Sequence, residues 1–157
     1  MSLNKPHPMY TYAVTSYQVN KIVTVSRLLS GRFRSGSLVR HFYPDKVSGI
    51  CELCHQELED IPHIILPRCA ELKPKAQQLL NFAQDSLTIC ATAAELFDNI
   101  FMQCEDDTLK VQFMLDPSVI PEVITAAQQD RNILAVLYRI TTTWCHSLVR
   151  TRSKLLH

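Results

Sequence analysis

The sequence predicts an all-α protein, and three observations support that prediction. Apolar residues recur at steps of three and four along most of the 157 residues, which is the spacing of one helix face. Only three glycines are present, at Gly31, Gly36 and Gly49, whereas a sheet with tight hairpins needs several. Apolar residues make up 46% and charged residues 20%, a composition typical of a globular protein rather than a disordered chain.

The N-terminal part is expected to contain an arm and two helices. Residues 1–15, which include two prolines, are predicted to form a flexible arm. A helix is predicted from about Ser16 to Leu29, with an apolar stripe formed by Val19, Ile22, Val23, Ser26 and Leu29. The glycines of "SGRFRSGS" end that helix, and Ser37 is placed to cap a short helix through "LVRHFY".

Four further helices are predicted between residues 70 and 130. "AELKPKAQQLLNFAQD" has its inward positions at Leu72, Ala76, Leu79, Leu80 and Ala83. "TAAELFDNIFMQC" begins with a capping box made by Thr92 and Glu95. Acidic "EDD" at 105–107 suits a helix start, and Pro121 suits the first position of "PEVITAAQQD".

The clearest helix is the last, at about residues 131–155. Its apolar stripe is expected to face the core and consists of Ile133, Leu137, Ile140, Trp144, Leu148 and Leu155. A basic stripe lies about a third of a turn away, where we expect it to be solvated, and consists of Arg139, His146, Arg150 and Lys154.

Charge is distributed unevenly, although the whole chain has a net charge of only +1. Residues 1–50 carry seven Lys and Arg against one acid, a net +6. Residues 51–130 carry four against fourteen, a net −10, and residues 131–157 carry five and no acid. The basic ends are either solvated faces or places where a polyanion can dock.

A cluster of cysteine and histidine lies in "CELCHQELEDIPHIILPRC". Cys51 and Cys54 form a C-x2-C step, and His63 and Cys69 follow after a polar loop closed by a proline. Three thiolates and one imidazole suit tetrahedral zinc in a closed structural site. His55 is the rival nitrogen ligand, but it adjoins Cys54 and would crowd the turn. The alternative is that these residues are packed without a metal.

The other three cysteines stand far apart, at Cys90, Cys104 and Cys145, as free thiols do in an intracellular chain. No apolar run approaches the roughly 18 residues of a membrane span, and the N-terminus has no apolar signal core. We therefore expect an intracellular protein, nuclear or cytoplasmic, without a membrane partner.

Residues 19–75 resemble the segment that follows the reverse transcriptase domain in non-LTR (LINE-type) retrotransposon polyproteins. The matching residues fall in three groups: Leu29, Ser30, Gly31, Arg32 and Arg34; then Arg40 and His41; then Glu59, His63 and Ile64. The resemblance implies zinc ligands at Cys51, Cys54, His63 and Cys69. Five residues separate His63 from Cys69, where the family usually has four.

Together these features predict a zinc-stabilised nucleic-acid-binding module in residues 16–75, followed by a helical bundle in residues 76–157. Phosphate contacts are expected from Lys21, Arg27, Arg32, Arg34 and Arg40, with base stacking on Phe33, Phe42 or Tyr43. The partner is expected to be RNA or DNA.

Catalysis is not expected, since no YxDD pair in a strand context, P-loop, HExxH motif or nucleophile elbow is present, and no small-molecule substrate is implied. Two alternatives remain open. One is a zinc-stapled protein-interaction module that binds through the acidic middle or the last helix. The other is a truncated element copy without a selected function.

Overall fold

The computed structural model describes residues 8–9 and 19–157, without the side chain of Val19. Most of the predicted flexible arm and the start of the first predicted helix lie outside the described residues, although Met9 is described and buried. In the described part the all-α prediction is confirmed, because the β-structure there is limited to one isolated antiparallel bridge between Ile50 and Leu58.

The helices follow one another along the chain as α1 Val19–Leu29, α2 Gly36–Phe42, α3 Ile61–Ile65, α4 Lys73–Leu87, α5 Ala91–Phe97, α6 Asp107–Leu115, α7 Pro121–Gln129 and α8 Asn132–Leu156. Short 3-10 turns cover Ala70–Leu72 and Pro117–Val119, and a wider π-helical turn covers Asp98–Met102. The starts predicted from "EDD" and from Pro121 are confirmed, because Asp106 caps α6 and Pro121 opens α7. None of the described helices has the length and apolar character needed to cross a membrane.

Helix α8 is the centre of the fold. It contacts α1, α3, α4, α5, α6 and α7. Its buried residues include Ile133, Leu137, Ile140, Trp144 and Leu148, as the apolar stripe predicts. Buried side chains from the predicted segments 16–75 and 76–157 belong to one hydrophobic cluster, so both segments share a core.

The predicted inward face of α1 is wrong in part. Ile22, Val25 and Leu28 are the buried residues, whereas Val23 and Leu29 are exposed. Apolar residues occur on more than one side of this helix, and packing against α8 selects the side that contains Val25. Periodicity alone did not separate these faces.

Two predicted caps and one predicted core residue are also wrong. Ser35, rather than Ser37, caps α2, because the carboxylate of Glu59 accepts the Gly36 N–H and its carbonyl accepts the Ser37 N–H. Helix α5 begins after Cys90, which places Thr92 inside its first turn. Leu155 is half exposed, and its neighbours Ser153, Lys154 and His157 at the end of α8 are exposed as well.

Candidate metal centre

A tight turn brings Cys51 and Cys54 together. The bridge between Ile50 and Leu58 closes a small hairpin, in which the Cys51 N–H donates to the Glu57 carbonyl at 2.8 Å. The His55 N–H then donates to the Cys51 carbonyl at 2.9 Å. His55 itself adopts a left-handed backbone with φ of 57° and exposes its ring, so it stays outside the cluster.

Helix α3 positions the histidine. Asp60 caps it by accepting the His63 N–H at 2.8 Å, and the His63 side chain is only 2% exposed. The Arg68 N–H then reaches back to the His63 carbonyl at 3.1 Å, which closes a turn wider than that of an α-helix. This wide turn accommodates the fifth residue of "IILPR" and returns Cys69 to the histidine.

The four predicted ligand side chains, Cys51, Cys54, His63 and Cys69, meet in one cluster. Their ligand atoms all lie within 4.8 Å of one another. The Sγ atoms of Cys51 and Cys69 are 3.8 Å apart, and Cys54 Sγ lies 3.5 Å from His63 Nε2. Three of the four residues are buried, and Cys54 is half-buried. The cluster can hold a metal ion, and in the described residues no other group of three or more such side chains meets this criterion.

The surroundings shift the pKa values of the three thiols in different directions. Burial, together with the neighbouring Cys51 and Cys54, raises the pKa of Cys69 to about 12. Burial likewise raises the pKa of Cys51. For Cys54 burial acts in the same direction, but hydrogen bonds from the backbone of Gln56 and from neighbouring thiols leave its pKa lowered. Three thiolates side by side need a cation to compensate their charge, and a bound metal deprotonates such thiols outright.

A carboxylate lies behind the histidine. His63 Nδ1, the nitrogen that faces away from Cys54, has no hydrogen-bond partner among the described residues, and Glu57 Oε2 lies 3.4 Å from it. Histidine ligands of metals usually have such a carboxylate at their second nitrogen, which fixes the tautomer and the ring orientation. Glu57 is the carboxylate placed to take this role for His63.

Sequence reasoning missed the contact between Glu59 and Arg152. Glu59 is buried, with 3% of the residue exposed, and its carboxylate accepts from Arg152 Nε at 2.9 Å and Nη2 at 2.6 Å. The Gly36 N–H donates to the same carboxylate at 2.9 Å, and the Cys51 thiol lies 3.8 Å from it. Burial alone would raise the pKa of Glu59, but the bonds from Arg152 and Gly36 lower it. The last turns of α8 are thereby attached to the cysteine hairpin.

The predicted phosphate contacts fall into two groups. Arg27, Arg32, Arg34 and Arg40 are exposed. Lys21 is half-buried and donates to Thr143 Oγ1 at 2.8 Å, and burial together with Arg139 lowers its pKa. Its ammonium is therefore engaged within the fold.

The predicted stacking residues differ in how much of each ring is exposed. Phe33 is half-buried, and the guanidinium of Arg152 lies 5.2 Å from its ring centroid. Phe42 and Tyr43 are 67% and 58% exposed. These two rings, with Arg32 and Arg34, line a cavity of about 550 Å³ at the start and end of α2. The structure thus places two arginines and two exposed aromatic rings on one concave surface, which we call the α2 groove.

The basic stripe of α8 is solvated except at His146. Arg139, Arg150 and Lys154 are exposed, as expected. His146 is half-buried, and its Nδ1 lies 2.8 Å from Thr24 Oγ1 on α1. This residue therefore joins two helices.

Comparisons with family models, with curated proteins and with solved structures found no match to this chain.

Proposed function

We propose that the chain is a zinc-stabilised nucleic-acid-binding module, non-catalytic by itself, derived from the C-terminal part of a retrotransposon reverse transcriptase. One observation carries the proposal: a single short helix starts beside the metal cluster and also forms the α2 groove. Helix α2 is held at its start by Glu59, beside the metal cluster, and it carries the α2 groove.

Zinc is proposed because two ligand–ligand distances in the cluster match those of its coordination sphere, and all four ligand atoms lie within 4.8 Å of one another. A regular tetrahedron with zinc–sulfur and zinc–nitrogen distances near 2.3 and 2.05 Å has edges of about 3.8 Å between sulfurs and about 3.6 Å between sulfur and nitrogen. The corresponding distances are 3.8 Å for Cys51 and Cys69 and 3.5 Å for Cys54 and His63. Four protein ligands leave no position for a reacting water, which favours a structural rather than a catalytic role.

Nucleic acid is proposed because the α2 groove combines the two kinds of side chain that bind it, namely cations for the phosphate backbone and aromatic rings for unpaired bases. Arginine supplies charge and hydrogen bonds to phosphates, while exposed aromatic rings stack on bases. Arg32, Arg34, Phe42 and Tyr43 are the residues that we assign to binding, with Arg27 and Arg40 as further exposed cations. Lys21 and Phe33 are left out because both are engaged within the fold.

The test is the dependence of affinity on salt, measured by fluorescence anisotropy with labelled RNA and DNA. Changing both Arg32 and Arg34 to Gln removes two phosphate contacts, so the slope of log K against log salt should flatten by about 1.4 for single strands and about 1.8 for duplex DNA. A matched control changes Arg131 and Lys154 to Gln, two exposed cations outside the groove. Equal slopes for both double variants, or no salt dependence in the wild type, would remove the phosphate-contact proposal.

The proposed origin is supported by the resemblance of residues 19–75 and by the cluster that their spacing forms. Sequencing the genomic DNA upstream of this reading frame tests it. Remnants of a reverse transcriptase domain would support the origin, and unrelated sequence there would count against it.

A second candidate function is protein interaction. Four large apolar side chains are exposed in the acidic middle of the sequence: Ile89, Met102, Val119 and Ile124. Ile89 is the most exposed large hydrophobic residue in the described part of the chain, at 76%. Self-association or partner binding that persists at high salt in sedimentation velocity, without nucleic-acid binding, would favour this candidate.

A further inference from the structure

A second cavity lies beside the turn that follows α3 and shares no lining residue with the α2 groove. It has a volume of about 370 Å³, within the range of small-molecule sites. The residues that matter here are Lys73, Ala76, Leu80, Phe101, Lys110 and Trp144, contributed by α4, the π-helical turn, α6 and α8. We call it the Trp144 cleft.

The interior of the Trp144 cleft is apolar. Phe101 and Trp144 meet edge to face with ring centroids 5.2 Å apart. The only polar atom of the indole, Nε1, already donates to the Ile65 carbonyl at 2.8 Å. Trp144 is only 3% exposed, so the small part of the indole that reaches the cleft is carbon surface, and Nε1 needs no further hydrogen-bond partner. Ala76 and Leu80 add further apolar wall from α4.

Positive charge lines the same cleft. Neither Lys73 nor Lys110 pairs with a carboxylate in the described part of the chain, and Lys110 Nζ lies 5.4 Å from the Phe101 ring centroid. Asp107, the nearest acid along α6, pairs with Arg68 instead. Lys73 is the first residue of α4, a helix whose N-terminus has no side-chain cap, so the helix dipole adds to the positive field.

We propose that the Trp144 cleft binds a small amphipathic carboxylate. Its aromatic or aliphatic body would lie against Phe101 and Trp144, and its carboxylate would face Lys73 and Lys110. Two ammonium groups without a carboxylate partner and an apolar interior together complement a ligand that has an apolar body and a single anionic end. Binding in the Trp144 cleft is independent of nucleic-acid binding, because the α2 groove uses other residues.

The experiment uses the dye 8-anilinonaphthalene-1-sulfonate as an anionic probe and N-phenyl-1-naphthylamine as its neutral counterpart. Affinities come from dye fluorescence with the folded, metal-loaded chain. Location comes from NMR, because the chain has one tryptophan and hence one indole N–H signal. Four proteins are compared: the wild type, Lys73→Gln with Lys110→Gln, Gln77→Phe, and Lys154→Gln as an exposed control away from the cleft. Gln77 is an exposed lining residue, so a larger ring there fills the cleft without entering the core.

The lysine double variant should bind the anionic dye about 4- to 25-fold more weakly, at two- to fivefold per exposed charge, and the neutral dye unchanged. Gln77→Phe should weaken both dyes, Lys154→Gln neither, and naphthalene-2-carboxylate should displace the anionic dye and shift the indole signal. Equal affinity for the anionic dye in the wild type and the lysine variant would overturn the proposal. So would binding that leaves the indole signal in place or that Gln77→Phe does not change.

Discussion

Removing Arg152 should destabilise the fold far more than its place near the end of the last helix suggests. Its guanidinium forms two of the hydrogen bonds that satisfy the buried Glu59 carboxylate. With Arg152→Ala, the charge of Glu59 stays buried with only the Gly36 N–H as a donor beside it, because a zinc-bound Cys51 is a thiolate and cannot donate. Breaking one side of a buried pair costs about 3 to 5 kcal/mol. Because 16% of the Arg152 side chain is exposed, we expect the lower end, about 3 kcal/mol.

Urea unfolding followed by far-UV circular dichroism at a fixed zinc concentration measures this cost. The expected loss corresponds to a fall in Tm of about 6 to 12 °C for a chain of this size. Arg150→Ala is the matched control, because it removes the same charge two residues earlier from an exposed position. Surface substitutions usually change the free energy of unfolding by no more than about 0.5 kcal/mol. If the free energies of unfolding of the two variants differ by less than that, the buried pair does not stabilise the fold as expected.

A double variant distinguishes the contribution of the Glu59–Arg152 ion pair from that of Arg152 alone. Glu59→Gln combined with Arg152→Met removes both charges and keeps side chains of similar length. Since no unpaired charge stays buried, the double variant should be more stable than the sum of the single losses implies, by at least about 1 kcal/mol. Simple additivity would show that Glu59 and Arg152 act independently.

Two other perturbations follow from particular contacts. In Gly36→Ala the added Cβ would lie 2.6 Å from the Gly49 carbonyl oxygen, so urea unfolding should show a loss of about 1 to 3 kcal/mol; unchanged stability would mean that these backbones are further apart. The pKa of His146 is lowered by partial burial and by the positive charges of Arg150 and Lys21. The unfolded chain therefore takes up the proton first, and the stability of the fold should decrease as the pH drops below about 6.5. Between pH 7.5 and 5.5, His146→Asn should lose less stability than the wild type in the same assay, and an equal or larger loss would contradict that assignment.

The helices and the ligand set were predictable because their signals are local. The long apolar period of α8 and the proline at the start of α7 depend on residues within a few turns of one another. The C-x2-C step fixes two sulfurs through one turn, and the extra residue before Cys69 is absorbed by the wide turn after α3. Local spacing therefore identified residues that the fold brings together.

The contacts that sequence reasoning missed join distant parts of the chain. Glu59 and Arg152 are 93 residues apart, and no periodic pattern links them. Glu59 lies in the cysteine and histidine segment, but nothing in that segment indicates its partner. The partial burial of Phe33 under Arg152 has the same origin. The face of α1 was misassigned because two apolar faces are available and only packing on α8 selects between them.

The zinc content of the purified chain tests the central claim most directly. Elemental mass spectrometry of the reduced wild type should find about one zinc per chain, as expected for one closed four-ligand site. Cys51→Ser should lose most of it, together with folded signal, because the metal stabilises the fold. Cys90→Ser, which changes a thiol outside the cluster, should keep it. Folded, reduced wild type without zinc, or Cys51→Ser with full zinc, would contradict the account.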